Sequence, residues 1–374
     1  MNRPATIGTP ALPSNKPFLG DRLQLVREFK GLTQRELGNL LSVPAARISE
    51  YEKSKRPPTE AFIERLALTT GFLPEFFAKK SVDPFLESEC SFRHRRDTTQ
   101  KLKDQVRAHA SLLGLVIEQL REIVDFPTFL VPHIPASTTD EIEVAAEETR
   151  RNWALDINAP ILQVGRALER SGVVIVANSV DTFKIDAFSR FGQASLVFMN
   201  RGAGTSSSRW HFDLSHELGH LVMHRHIWTG SVETEKAADR YASAFLMPRG
   251  AFLREYGNRP FSWEKVFELK RRWRVSIAAV VRRSRDLGLI DDATYRRSYQ
   301  YMSYKGWTRS EPYEFQFQEP ELLDHALQAV SREPNGIGKL CAKLGISFDA
   351  FQSFVPGTFI STYLPEQSLF LVKP

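Results

Sequence analysis

Residues 209–248 read RWHFDLSHELGHLVMHRHIWTGSVETEKAADRYASAFLMP, and His216-Glu217-Leu218-Gly219-His220 within them decides the fold. On a helix, residues four apart lie one turn apart on the same face. His216 and His220 therefore offer two imidazole nitrogens to one cation. Glu217 stands beside them, within reach of a water on that cation. Two ligands and one general base at this spacing form the H-E-x-x-H arrangement of a zinc hydrolase. Phe212, Leu214, Leu218, Leu221 and Val222 are apolar at helical spacing, so the helix has a face to bury.

A catalytic zinc site needs a third protein ligand, an open position, and acceptors behind the imidazoles that orient them. Glu235 and Asp239 lie four apart on a following helical segment. Glu235 fits the third ligand and Asp239 the acceptor behind it; the bland alternative for both is a solvated helix face. His226, six residues after His220, is a rival ligand at the spacing of the H-E-x-x-H-x-x-G-x-x-H proteases. That pattern turns the chain at a glycine. Met223 holds the position here, and Leu221-Val222-Met223 favours continuing the helix, so Glu235 is preferred. His224, one turn beyond His220, reads as a surface histidine or one that supports the site. Zn2+ is the expected cofactor, although two imidazoles and a carboxylate also suit manganese or iron.

Arg209-x-x-Phe-x-Leu-Ser-His-Glu-Leu-Gly-His, then Glu235-x-x-Ala-Asp-x-Tyr-Ala and Leu246-Met-Pro, resembles the ImmA/IrrE metallopeptidases. The likeness extends upstream through Leu168-Glu-Arg-Ser-Gly-Val and Asp186-Ala-Phe-Ser, and downstream through Leu269-Lys-Arg-Arg-Trp-x-Val-Ser to Gly306-Trp. It implies that His216, His220 and Glu235 hold zinc and that Glu217 is the catalytic base. It also implies a DNA-binding repressor as substrate, cut at a specific site to switch genes on.

The chain has 374 residues, 42% hydrophobic and 25% charged, enough for two or three domains of ordinary soluble protein. No apolar run reaches the ~18 residues of a membrane span. The first twenty residues carry Pro4, Pro10, Pro13 and Pro17 in polar surroundings and no signal pattern; they read as a flexible tail. Two cysteines argue against a disulfide framework. A cytoplasmic protein with no membrane partner is expected. The net charge of +6 is uneven: residues 1–110 hold 19 Lys/Arg against 13 Asp/Glu, and the rest hold 31 of each. That excess points to a nucleic-acid partner for the N-terminal third.

Residues 19–77 read as five short helices. Gly31 ends the first, and Thr33-Gln-Arg-Glu36 is a capping box that opens the second. Ser42-Val43 is a turn, Pro44 enters the third, and Pro57-Pro58 breaks it. Two short helices joined by a tight turn follow the helix-turn-helix plan. Gly31-Leu-Thr-Gln-Arg-Glu-Leu, Ile48-Ser-x-Tyr-Glu, Pro58 and Leu66-Ala resemble the XRE (phage repressor-like) family over about sixty residues. The resemblance implies double-stranded operator DNA as partner. It places Ala45, Ala46, Arg47 and Glu50 against base edges or phosphate and Gln34 at the backbone. Arg47 can pair with guanine and Glu50 accept from cytosine. Lys53, Lys55 and Arg56 are phosphate candidates. The two alanines replace polar readers but can meet thymine methyls, and the alternative for the whole unit is a protein-interaction module.

Phe92-Arg-His-Arg-Arg96 is either a further DNA contact or a solvated linker. Residues 99–123 form one long helix that links domains or pairs with a second subunit, since two half-sites demand a homodimer. Cys90 can silence a zinc site as an extra ligand, or be a plain thiol. Val173–Val176 reads as a buried strand, and residues 187–191 and 195–199 as a hairpin around Gly192. Residues 202–208 form a loop before the metal helix. Residues 263–273, 276–287 and 292–301 read as helices whose arginines 271, 272, 274, 282, 283 and 285 form a solvated face. Residues 321–330 and 337–354 add helices of unassigned role, with Cys341 in the core.

The expected fold is α+β and mostly helical. It comprises a tail (1–17), a five-helix HTH domain (18–80), a connector (81–125), a zincin-like metallopeptidase domain with a small sheet (126–300), and a helical C-terminal region (301–374). The expected function is a transcription regulator that cleaves a repressor-type protein or itself, with Tyr241, Arg209 and His224 as candidate oxyanion stabilisers. The alternative is a non-proteolytic repressor or antitoxin-type regulator whose zincin fold senses a ligand or protein partner.

Overall fold

A computed structural model describes residues 17–79, 99–178, 187–190, 195–200, 205–225, 227 and 231–355. The N-terminal unit comprises α1 (Gly20–Phe29), α2 (Gln34–Leu41), α3 (Ala45–Glu52), α4 (Glu60–Thr70) and a 3-10 helix (Pro74–Ala78). Local chemistry sets the boundaries. Thr33 and Glu36 exchange both hydrogen bonds of a capping box at the start of α2. Ser42 ends α2 in the left-handed region, at φ 55°. Pro44 is the N-cap of α3 rather than a residue of its first turn. Glu52 accepts from Arg27 Nε at 2.5 Å and from Gln34 Nε2 at 2.7 Å, so one carboxylate pins α1, α2 and α3 together. The fifth expected helix is the 3-10 turn, which buries Phe76 and Phe77.

The long helix α5 (Gln100–Arg121) is covered within the chain. Val106, Leu113, Val116, Ile117 and Leu120 are buried in a core shared with α1. Next come α6 (Thr139–Asn152), α7 (Val164–Arg170), and the strands β1 (Val174–Asn178), β2 (Ala187–Arg190) and β3 (Leu196–Asn200). Gly172, at φ 79°, stops α7; a Cβ there would lie 2.7 Å from the Pro127 carbonyl oxygen, so only glycine lets the two segments pass. The sheet order is β1-β3-β2. β1 runs parallel to β3, with Val174 opposite Leu196, and β2 runs antiparallel, with Ser189 opposite Val197. The antiparallel pair agrees with the expected hairpin.

This small sheet faces two cores. Val174, Val176, Leu196 and Phe198 point into the core that holds the N-terminal helices and α5. Val173, Ile175, Val197 and Met199 point into a second core with the metal helix. Alternation along a strand makes both faces apolar, as a sheet covered on both sides requires.

The second core continues through α8 (Ser207–Met223), α9 (Val232–Leu246), α10 (Arg249–Tyr256), α11 (Trp263–Trp273), α12 (Ile277–Asp286) and α13 (Asp292–Tyr304). The helix α10 was not anticipated. The solvated-face reading of the arginines fails at two positions. Arg283 is fully buried and grips Glu143 of α6 at 2.5 and 2.8 Å. Arg282 reaches Asp239 at 3.0 Å. The chain then returns to the first core through α14 (Leu322–Ser331), α15 (Gly336–Leu344) and α16 (Phe348–Gln352). The C-terminal pair clamps the end of the N-terminal unit: Leu73 N donates to Gly345 O at 2.9 Å and Ser347 N to Gly71 O at 2.7 Å. Cys341 is buried there, as expected.

Among the described residues no helix is long and apolar enough to cross a membrane. The readings of residues 1–16, Cys90, Phe92–Arg96, Gly192 and His226 fall outside the described residues.

Candidate metal centre and nucleic-acid interface

The helix α8 is buried along nearly its whole length, with Arg209 its one exposed residue among those described. Ser206 caps it, accepting from Arg209 N. Glu314 accepts from Ser208 N at 3.1 Å and Ser208 Oγ at 2.7 Å, and Lys270 Nζ holds the same carboxylate at 2.6 Å. A carboxylate at a helix N-terminus complements the dipole there. Ser231 caps α9 in the same way. Gly219 then lets α9 close on α8, because a Cβ at that position would stand 3.0 Å from Tyr241 Cδ1. The close approach brings Glu235 over the histidines.

His216 Nε2 and His220 Nε2 lie 3.1 Å apart. Glu235 Oε2 is 3.4 Å from the first and its Oε1 is 3.4 Å from the second. An ion with tetrahedral bonds of ~2.0–2.1 Å holds its donors about 3.3–3.4 Å apart, so the spacing fits one divalent cation. His216, His220 and Glu235 are the one group of three or more potential metal ligands among the described residues. Both rings are buried and the Glu235 side chain is 29% exposed, which leaves an approach from the carboxylate side. Glu235 Oε1 and Glu217 Oε2 are buried oxygens without hydrogen-bond partners among the described residues, as acceptors awaiting a cation or its water would be.

Each ring is held from behind. His216 Nδ1 is 2.9 Å from Asp239 Oδ1, and Arg282 Nη1 donates to Asp239 Oδ2 at 3.0 Å. His220 Nδ1 is 3.0 Å from His224 Nδ1. Charge follows this arrangement. Burial opposes a charge on His216, yet hydrogen bonds to Asp239 and Glu235 win and raise it to about 9. Burial lowers His220. Burial also works against the charge on Glu235, but the two imidazoles hold it well below the usual carboxylate range. The site favours positive charge at its centre. Beside it, burial pushes Glu217 up to about 7, against the pull of His216 and of a hydrogen bond from Ser189.

Asp239 lies behind His216. Of the three oxyanion candidates, Tyr241 is fully buried beneath Gly219 and His224 stands behind His220. Arg209 Nε lies 3.4 Å from Asp213. Sequence reading missed Ser189 and Arg282, which reach the site from a strand and a helix distant in the chain. The strand pattern around Ser189 and the apolar stripe of α12 were visible, but their docking partners were not.

On the N-terminal unit, Ala46, Lys53, Lys55 and Arg56 are exposed, and Ala45, Arg47 and Glu50 half-buried. Arg47 Nε lies 3.5 Å from Glu50 Oε2, one turn on along α3. Gln34, at the start of α2, is turned to Glu52.

Two family matches cover these units. Residues 168–285 match the peptidase family described as the IrrE N-terminal-like domain, a span from α7 to α12 that includes His216, His220 and Glu235. Residues 19–75 match a helix-turn-helix domain family. No curated protein matches the chain. The chain thus joins an N-terminal region similar to a helix-turn-helix domain family to a metallopeptidase-like region similar to the IrrE N-terminal-like family.

Proposed function

We propose that the protein is a DNA-binding transcription regulator whose second domain is a zinc-dependent endopeptidase. It cuts a repressor-type protein, or its own chain, to switch gene expression. The units are an HTH domain (18–80), a connector (81–125), the peptidase domain (126–300) and a C-terminal region (301–374). The carrying observation is the convergence of His216, His220 and Glu235 with the buried Glu217 carboxylate beside them.

His216, His220 and Glu235 would hold the ion, and Asp239 with Arg282 orients the His216 ring. A bound divalent ion supplies Lewis acidity at such a cluster, polarising a peptide carbonyl and acidifying water. Glu217 takes a proton there and returns it to the leaving amine; burial, which disfavours its bare carboxylate, suits it to accept that proton. Ser189 steadies that carboxylate from β2. This strand is an outer member of the sheet, so an extended peptide can add to it alongside α8.

At the other end, α3 enters the major groove with Ala45, Ala46, Arg47 and Glu50 toward base edges. Gln34 lies at the backbone, and Lys53, Lys55 and Arg56 meet phosphates with a salt-dependent contribution. A homodimer would place two such units on two half-sites.

The test measures metal content and cleavage of candidate repressors by wild type and Glu217→Gln. The wild type is expected to bind one zinc per chain and cleave. The variant is expected to keep its zinc and cleave at least ~100-fold more slowly. Bound zinc with no Glu217-dependent cleavage of any candidate would favour the second reading, a repressor or antitoxin-type regulator in which the zincin fold senses a ligand or partner. The sheet shared between the two cores is the observation behind that reading.

A further inference from the structure

A histidine that ligates a cation through one ring nitrogen carries its proton on the other, and that N–H needs an acceptor. His216 has a carboxylate there. His220 has another histidine: its Nδ1 lies 3.0 Å from His224 Nδ1, and both residues are buried. Two ring nitrogens at this distance form a hydrogen bond only if one of them bears the proton. His220 Nε2 faces His216 Nε2 and Glu235, so its proton belongs on Nδ1.

We propose that His224 is a positioning residue for the metal centre: a neutral ring, protonated at Nε2, whose bare Nδ1 accepts from His220 and fixes that ring in its ligating tautomer. The proposal rests on the reading of the cluster as a cation site. The backbone supports it. His224 closes α8, donating from N to His220 O at 3.0 Å, and its own carbonyl accepts from Ile227 N at 3.2 Å. These bonds seat the ring one turn above His220, on the same helix face. The two ligand rings are therefore gripped differently. His216 leans on an anionic acceptor that Arg282 holds, and His220 on a neutral one, which avoids a further negative charge beside Glu235 and Glu217.

The test uses the full chain, 15N-labelled at histidine and loaded with zinc. Long-range 1H–15N spectra of the wild type are expected to show His220 protonated at Nδ1 and His224 at Nε2. Zinc affinity, measured by competition with a chromophoric chelator, is expected to fall 10–100-fold in His224→Leu. In His224→Gln, whose amide oxygen can accept, it should stay within about threefold of wild type, as the partner's role in orienting the ligand requires. Cobalt absorption spectra should follow the same order, and melting of the metal-free variants reports their folding. A His224 ring protonated at Nδ1 overturns the proposal, and this reading needs no variant to fold. So does a His224→Leu chain that binds zinc as tightly as wild type, or a His224→Gln chain as weak as His224→Leu, since packing alone would then explain the loss. A wild type that binds no zinc removes the cation reading and this proposal together. Tight wild-type binding with an indifferent His224→Leu removes this proposal alone.

Discussion

At the scale of one residue, His109 shows how the first core was closed. Its ring meets Phe29 of α1, Phe198 of β3 and Phe354 at centroid distances of 5.8, 5.6 and 6.5 Å. Its Nε2 lies 2.9 Å from the Phe354 carbonyl, which fixes Nε2 as the donor. Burial pushes its pKa down to about 4 from an ordinary 6.5, against that hydrogen bond. In the unfolded chain the ring takes up its proton as pH falls through 6.5; in the folded chain it resists until about 4. Within this window the unfolded state binds more protons, so stability falls with falling pH, by up to ~3 kcal/mol from this group. Above the window His109 contributes no pH dependence. Urea unfolding at several pH values between 7 and 4 should show the decline. His109→Gln, which can still donate to Phe354 O, should flatten it by up to one proton relative to wild type. Equal slopes would contradict this account.

At the scale of an element, α12 carries two neighbouring arginines with separate partners. Arg282 reaches Asp239 behind His216, and Arg283 crosses to Glu143 on α6 and donates to Met247 O at 3.0 Å. Both were misread as solvent-facing. Periodicity reports which side of a helix is apolar; it does not report that a carboxylate 140 residues upstream completes a buried pair. A hint was present, since Arg283 sits three residues after Val280, within the buried stripe of Ile277, Val280 and Ser284. The metal helix and the DNA-reading helices were legible for the opposite reason. The i, i+4 histidines and the Thr33–Glu36 capping box are local, so their geometry is written within a few residues. Glu235 and Asp239 were legible because one turn separates them, although their docking depends on Gly219, whose role in admitting Tyr241 no local pattern reveals. For the buried pair, Arg283→Met should destabilise the chain by about 3 kcal/mol, because it leaves the buried Glu143 charge with only Arg249, at 3.8 Å, beside it. The double variant Arg283→Met/Glu143→Leu should recover most of that loss in thermal melting. A double variant no better than the single one would mean that packing around Arg283, rather than the stranded charge, sets the cost.

At the scale of the whole molecule, the helix-turn-helix unit is not a bead on a string. Its core residues Phe29, Phe72, Phe76 and Phe77 belong to the same cluster as α5, one face of the sheet, and α14 to α16, while the other face of that sheet belongs to the core that includes α8 and α9. Packing is therefore continuous from the N-terminal helices through β1 and β3 to α8. The C-terminal helices, whose role no motif disclosed, seal this junction. One close approach across this junction is at Gly345, at φ 75°, where a Cβ would stand 2.7 Å from the Phe76 backbone nitrogen. An alanine there meets both a disfavoured backbone conformation and an immovable neighbour, at a cost of about 1–3 kcal/mol. If the N-terminal unit were independently stable, Gly345→Ala would loosen only α15 and α16. The shared core predicts a different pattern. Hydrogen-exchange protection should fall together in α15, α16, the 3-10 helix Pro74–Ala78, α4 and α1, with α11 and α12 unchanged, because cooperative opening follows the packed unit rather than the order of the sequence. Loss of protection confined to α15 and α16 would show that the DNA-reading unit stands alone, and the packed route from one end of the molecule to the other would have no energetic content.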